Sequence, residues 1–308
     1  MVTTTALSVL TLLLYALPGF ILRKSGITKE ESIPSFAKVL LFVCQPCLTL
    51  YSFSKIEYSL SLLWEMGVFF LLALVSQLGL MLIAYFILRR FYEEKAKYRI
   101  FTIATVISNC GFFGVPVVEK LFPEKAQGAA LCMVFSLAMN ILCWTLVLFI
   151  VTGEKKYIKL QRVFVNPSTI SFFLALVMFI LSLEFPSFIS EPVTLLGRMA
   201  TPMCMLILGM RLGGVSFVKL FSDISVYATV LIKQIIAPGL IFFILLIFPM
   251  DIFLKELSFI LFCCPVASNV LNFAELSGKG QEEASSVVLL GTIASILTMP
   301  LMMLLLSI

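Results

Sequence analysis

Apolar residues run in blocks of about twenty along this chain, and short polar or charged stretches separate the blocks. A helix rises about 1.5 Å per residue, so roughly 20 apolar residues cross the hydrocarbon core of a bilayer. Ten segments meet that requirement, approximately 5–23, 34–53, 61–89, 98–121, 126–152, 167–184, 192–212, 219–248, 254–276 and 282–307. The pattern predicts an all-α polytopic membrane protein. The connections are short. The longest is the basic linker 153–166, which separates a first five-span half, 1–152, from a second, 167–308. Two homologous halves with an odd number of spans have opposite topology, which is the inverted repeat of many secondary transporters.

Two of the ten segments are poor continuous helices. In span four, Asn109, Gly111, Gly114 and Pro116 fall within Ile107–Val117. Glycine weakens a helix, and proline removes a backbone donor and clashes with the preceding turn. In span nine, Pro265 is followed by Ala267, Ser268, Asn269 and Asn272. Broken backbone at membrane depth is tolerated only where it is buried in protein or lines a cavity. Val106–Gly114 aligns with Val266–Ala274 at an offset of 160, with Val, Ser, Asn and Phe coinciding. Pro46 and Pro202, in spans two and seven, pair at an offset of 156. The expectation is therefore a 5+5 inverted repeat whose two broken helices cross at mid-membrane. Half-helix N-termini there would present free N–H groups and a positive dipole end to an anion such as a carboxylate. The plainer alternative is that Pro and Gly only kink the helices while Asn side chains hold them together.

Composition narrows the class. Hydrophobic residues make up 61% of the 308 residues and charged ones 13%, with a mean hydropathy of +1.10. A soluble domain of that composition would expose far too much apolar surface. The first apolar run has no basic segment before it and no small-residue cleavage site after it, so a removed signal peptide is not expected. Of the 22 Lys and Arg, 16 lie in the odd-numbered connections, 5 on the other side, and Lys233 lies within span eight. The positive-inside rule then places both termini outside. The absence of His excludes His metal ligands and His proton relays. All eight cysteines fall in the apolar segments, and Cys44 and Cys47 read as structural rather than redox-active. No P-loop, nucleophile–base pair or metal cluster is present, so neither an enzyme nor a cofactor, metal or nucleic-acid partner is expected.

Further polar residues bear on the site. Lys233 sits about fourteen residues into the predicted span eight, or ~21 Å, ahead of Pro238. A lysine at that depth either faces protein or a water-filled cavity, as a counter-charge or a gate, or snorkels to an interface. Glu65, Glu119 and Glu275 lie towards span ends and make no buried acidic pair. Gln45, Gln77 and Asn140 are uncharged polar residues in spans two, three and five, read first as interhelical contacts. The candidate site comprises Asn109, Cys110, Gly111, Gly114 and Pro116 from one break. Pro265, Ala267, Ser268, Asn269 and Asn272 come from the other, with Asn140 and Lys233 beside them.

With Asn109-x-Gly-Phe-x-Gly-x-Pro116 and Pro265-Val-Ala-x-Asn269 in hand, the chain resembles the auxin efflux carrier family in its compact form. The resemblance extends to Lys233 before Pro238 and to the closing run Gly291–Pro300, and covers essentially the whole chain. It implies a fold shared with bile-acid symporters and sodium/proton antiporters. Spans one, two, six and seven would form a scaffold and dimer surface, and spans three to five and eight to ten a moving transport domain. It also implies an auxin-like or malate- or malonate-like organic anion as substrate, and an elevator mechanism in a homodimer. Asn109, Gly111, Gly114, Pro116, Pro265 and Asn269 become its crossover residues. It places the chain in a bacterial inner (plasma) membrane and leaves open uniport, proton coupling and sodium coupling. The rivals are a cation-coupled carrier of the same fold and a membrane sensor that binds without transporting.

Overall fold

The computed structural model describes residues 1–154, 160–215 and 221–307. The helices, numbered in chain order, begin with α1 (Val2–Lys24), α2 (Glu30–Phe53), α3 (Leu60–Phe91) and α4 (Lys95–Val106). The first half continues with α5 (110–121) and α6 (Gly128–Thr152), and α7 (Leu160–Val165) follows. The second half holds α8 (Pro167–Ile180), α9 (Ser187–Gly214), α10 (Ile224–Ile247), α11 (Ile252–Cys263), α12 (Asn269–Ser277) and α13 (Gln281–Leu306). Seven of these, α1, α2, α3, α6, α9, α10 and α13, are long and apolar enough to cross a membrane. Of the other three predicted spans, α8 is a shorter apolar helix of 14 residues, and two are broken into α4/α5 and α11/α12.

The second break follows from the sequence. Cys264 precedes Pro265, and the proline ring forces it out of the helical region to φ −57°, ψ 145°. The first break is different in origin. Ile107 is extended although no proline follows it, and a partner segment holds it there. Ser108 and Val266 form an isolated antiparallel bridge, in which Asn109 N–H donates to the Pro265 carbonyl (2.9 Å) and Ala267 N–H to the Ile107 carbonyl (3.1 Å). Each unwound segment thus satisfies the other's backbone in the protein interior, where an unpaired amide is costly.

Prolines leave a second mark. The π-helical turns Leu40–Cys44, Cys110–Gly114 and Ile232–Ile236 each end two residues before a proline, Pro46, Pro116 and Pro238. Widening the turn accommodates a ring that would otherwise strike a carbonyl one turn back. The Phe112 carbonyl in the middle turn accepts a hydrogen bond from the Thr201 hydroxyl at 2.8 Å.

Helix α1 lies against α9, and both α8 and α9 pack on the second part of α2. Helices α3, α4 and α6 pack together, as do α10, α11 and α13, with α13 also meeting α4 and α12. The α1–α9 contact is backbone to backbone. A Cβ on Gly19 would strike the Leu206 carbonyl oxygen, and one on Gly209 would strike that of Ala16. Such close approach of small residues is the characteristic way helices associate where lipid is as apolar as the side chains. Helices α6 and α13 are largely buried, whereas α1, α2 and α3 turn most of their apolar surface outward.

Candidate functional site

Two half-helix N-termini meet where the chain is unwound. Helix α5 begins just after Asn109 and α12 just after Ser268, and the first residues of both line one small pocket. Asn109, Cys110 and Gly111 come from one side and Ala267, Ser268 and Asn269 from the other. Helix α6 contributes Ser136 and Asn140, and α2 contributes Gln45. Among the described residues no carboxylate lines it. The first N–H groups of a helix lack partners within the helix and carry its positive dipole end, so the pocket offers donors to an electron-rich group. Its volume, about 20 Å³, admits one water molecule.

A larger vestibule of about 700 Å³ adjoins it, sharing Gln45, Asn140 and Asn269. Its walls include Trp144, Asn272 and Phe273, with Asn166 to Ser168 and Leu276. Asn269 and Asn272 are one helical turn apart on α12, as their spacing predicts, and both line the vestibule.

Lys233 lies outside this lining. It is fully buried, and its ammonium donates to the Ser108 hydroxyl (2.6 Å) and the Phe262 carbonyl (2.9 Å). Phe262 is in the last turn of α11, so the cation sits at the negative end of a half-helix. Snorkelling is thereby ruled out. The depth expected from sequence is also corrected. Asp223 caps α10 through the Ser225 N–H (2.8 Å), so the helix begins at Ile224 and Lys233 lies about 14 Å along it.

A sequence profile of the membrane transport protein family matches residues 4–303. The chain belongs to the auxin efflux carrier family. It is a membrane transporter, and its apolar helices agree with integral membrane insertion. No curated protein matches the chain at a significant level.

Within this family member, the structure brings Asn109, Cys110, Gly111, Asn140, Ala267, Ser268 and Asn269 to one pocket, and Asn272 to the vestibule. Three other candidates act on the frame. Gly114 lies where a Cβ would come within 2.8 Å of Leu261, so it lets α5 pack against α11. Pro116 opens the regular part of α5, and Pro265 accepts the Asn109 N–H. Among the carboxylates, Glu119 pairs with Lys55 (2.6 Å) and Glu275 with Arg211 (3.4 Å), while Glu65 is half-buried near the start of α3. Gln77 is buried and donates to the Phe135 carbonyl at 3.5 Å, a contact between helices rather than part of the pocket.

Sequence reasoning passed over Ser108, Ser136 and Arg211, and read Gln45 first as an interhelical contact. Ser136 is one turn before Asn140 on the same face, and Ser108 adjoins Asn109, so spacing carried a signal for both. Gln45 and Arg211 reach the site only through the packing of α2 and α9, which spacing does not encode.

Proposed function

We propose that this chain is a secondary transporter of a small organic anion, an auxin-like or malate- or malonate-like carboxylate. Transport proceeds by elevator-type alternating access. The observation that carries this reading is the pocket between two half-helix N-termini, lined by Asn109, Asn140 and Asn269 with no carboxylate among the described lining residues. Asn109 and Asn269 donate to the bound carboxylate, the helix ends supply positive potential, and Lys233 holds the crossing segments in register. In this conformation the pocket is closed to the size of a water, and the vestibule is the approach to it.

The architecture proposed is ten spans as a 5+5 inverted repeat, with α4/α5 and α11/α12 each counted as one broken span. The packing of α9 on α1 and α2, and of α8 on α2, supports a scaffold, which also forms the homodimer surface. The remaining helices carry the site. The asymmetry of basic residues supports both termini lying outside a bacterial inner (plasma) membrane. For a monovalent anion, a membrane potential supplies ~2.3 kcal/mol per 100 mV and favours export from a negative interior.

Purified protein in liposomes, offered acetate, malonate, malate and indole-3-acetate, tests the proposal. At least one acid is expected to move, and Asn109→Ala and Asn269→Ala each to cut its flux tenfold or more. Unchanged flux of every transported acid in both variants would remove the site assignment. An absolute requirement for a sodium or proton gradient would favour the coupled carrier instead.

A further inference from the structure

Arg211 stands in the last turn of α9 and lines a cavity of about 20 Å³ with Phe112, Ser268, Asn269 and Asn272. That cavity touches both the crossover pocket, through Ser268 and Asn269, and the vestibule, through Asn269 and Asn272. Among the described residues the guanidinium's ion pair is with Glu275. Its Nη1 reaches the Glu275 carboxylate at 3.4 Å, beyond the roughly 2.7–2.9 Å of a charge-assisted hydrogen bond, and its Nε is buried without a hydrogen-bond partner. Glu275 itself is mostly in solvent, with its side chain 55% exposed.

The chain contains its own reference for a closed pair. Lys55 and Arg211 are 156 positions apart, as are Glu119 and Glu275, but the two breaks align at 160, so the glutamates lie 10 and 6 residues beyond Asn109 and Asn269 and the pairs are analogous rather than repeat-equivalent. Each ion pair joins the end of a helix packed in the α1–α2–α8–α9 group to the half-helix that follows a break. The Lys55–Glu119 pair is short, 2.6 Å, and the Lys55 ammonium also lies 4.0 Å from the centre of the Tyr51 ring. The Arg211–Glu275 pair is longer, 3.4 Å, and its cation is a planar fork whose Nε has no hydrogen-bond partner among the described residues. A guanidinium is the side chain best shaped to take a carboxylate through two parallel N–H donors.

We propose that Arg211 is a second anion site at the mouth of the crossover pocket, where Glu275 occupies the place of a substrate carboxylate. An incoming carboxylate displaces Glu275 from the Nη donors of Arg211 and passes from there to Asn109 and Asn269. The inference rests on the organic-anion reading above. Its simpler rival is an ordinary surface ion pair of little consequence.

The two accounts differ in sign. A structural pair is broken equally by losing either member, whereas an internal competitor and its receptor act in opposite directions. The chain has two tryptophans, of which Trp144 lines the vestibule and Trp64 is exposed on α3. In full-length Trp64→Phe protein in detergent, Trp144 fluorescence is titrated with acetate, malonate and malate at constant ionic strength. We expect Glu275→Gln to tighten binding of the acid bound best three- to tenfold, and Arg211→Gln to weaken it tenfold or more. The double variant should resemble Arg211→Gln alone. Shifts of the same sign in both single variants, no effect of Arg211→Gln, or no saturable signal with all three acids would overturn the proposal. Should Arg211→Gln not fold, Glu275→Gln alone decides, since unchanged or weaker binding refutes competition. The measurement needs no flux, so a failed transport assay with intact opposite shifts rejects the carrier reading and keeps the Arg211 site.

Discussion

Lys233 illustrates how a single side chain holds the crossing together. Its ammonium satisfies a hydroxyl on one unwound segment and a carbonyl at the end of α11, with no exposure to solvent. Lys233→Met keeps the apolar stem but leaves the Ser108 hydroxyl and the Phe262 carbonyl without their donor. A buried polar group left unpaired costs about 1–3 kcal/mol. The expected result is a melting temperature in detergent lowered by several degrees, together with lost transport. Unchanged melting would mean that the ammonium does not hold the crossing. The Asn pair should behave differently. Asn109→Ala and Asn269→Ala alter groups that face a pocket, so flux should fall with little change in melting.

At the level of elements, two contacts decide which helices can pack and where they start. Gly209 places α9 against the α1 backbone, with no room for a Cβ. Gly209→Val must push the helices apart or distort them, and overpacking of this kind typically costs about 1–3 kcal/mol. Reduced yield and a lower melting temperature are expected, whereas Gly67→Ala, inside α3 where nothing lies near, should leave the melting temperature unchanged or slightly raised. Asp223 starts α10 and accepts from the Lys97 ammonium at 2.7 Å. Partial burial opposes its ionisation, but the Lys97 hydrogen bond and the Ser225 N–H outweigh that and hold its carboxyl below the usual range. A lowered folded pKa contributes stability that is fully present above the unfolded value, about 3.9, and is lost as pH falls through the folded one. Asp223→Asn should therefore melt below wild type at pH 7, and the difference should narrow below about pH 4. A gap that stays constant across that range would show that the ionised carboxylate is not the stabilising form.

For the whole molecule, the ion pairs at the two ends of the crossing bear on motion. If the helices carrying the site move against α1, α2, α8 and α9, then Lys55 and Glu119 must separate in each cycle. Lys55→Cys with Glu119→Cys, bridged by a short bis-methanethiosulfonate, should stop transport, and a reductant should restore it. Seven of the eight native cysteines are buried and Cys47 is half-buried, so the engineered pair is the most accessible target. Transport that persists through bridging would rule out relative movement at this contact.

Much of this was legible along the chain, because bilayer thickness and backbone hydrogen bonding act on local sequence. Apolar block length determined where helices run, apart from the late start of α10 and the short α8. Pro265 fixed the second break, since proline acts on its immediate neighbours, the glycines and Pro116 only marked the first as a poor helix, and the offset of the two Asn-bearing motifs paired them. Tertiary structure decided what each polar residue meets. Nothing local indicates that Lys233 would be spent on Ser108 and Phe262, or that Gln45 and Arg211 would reach the crossing from α2 and α9. Nor does spacing reveal that Glu119 lies 2.6 Å from Lys55 while Glu275 stands 3.4 Å from Arg211. Those outcomes depend on distances between segments far apart in sequence, and only packing sets them.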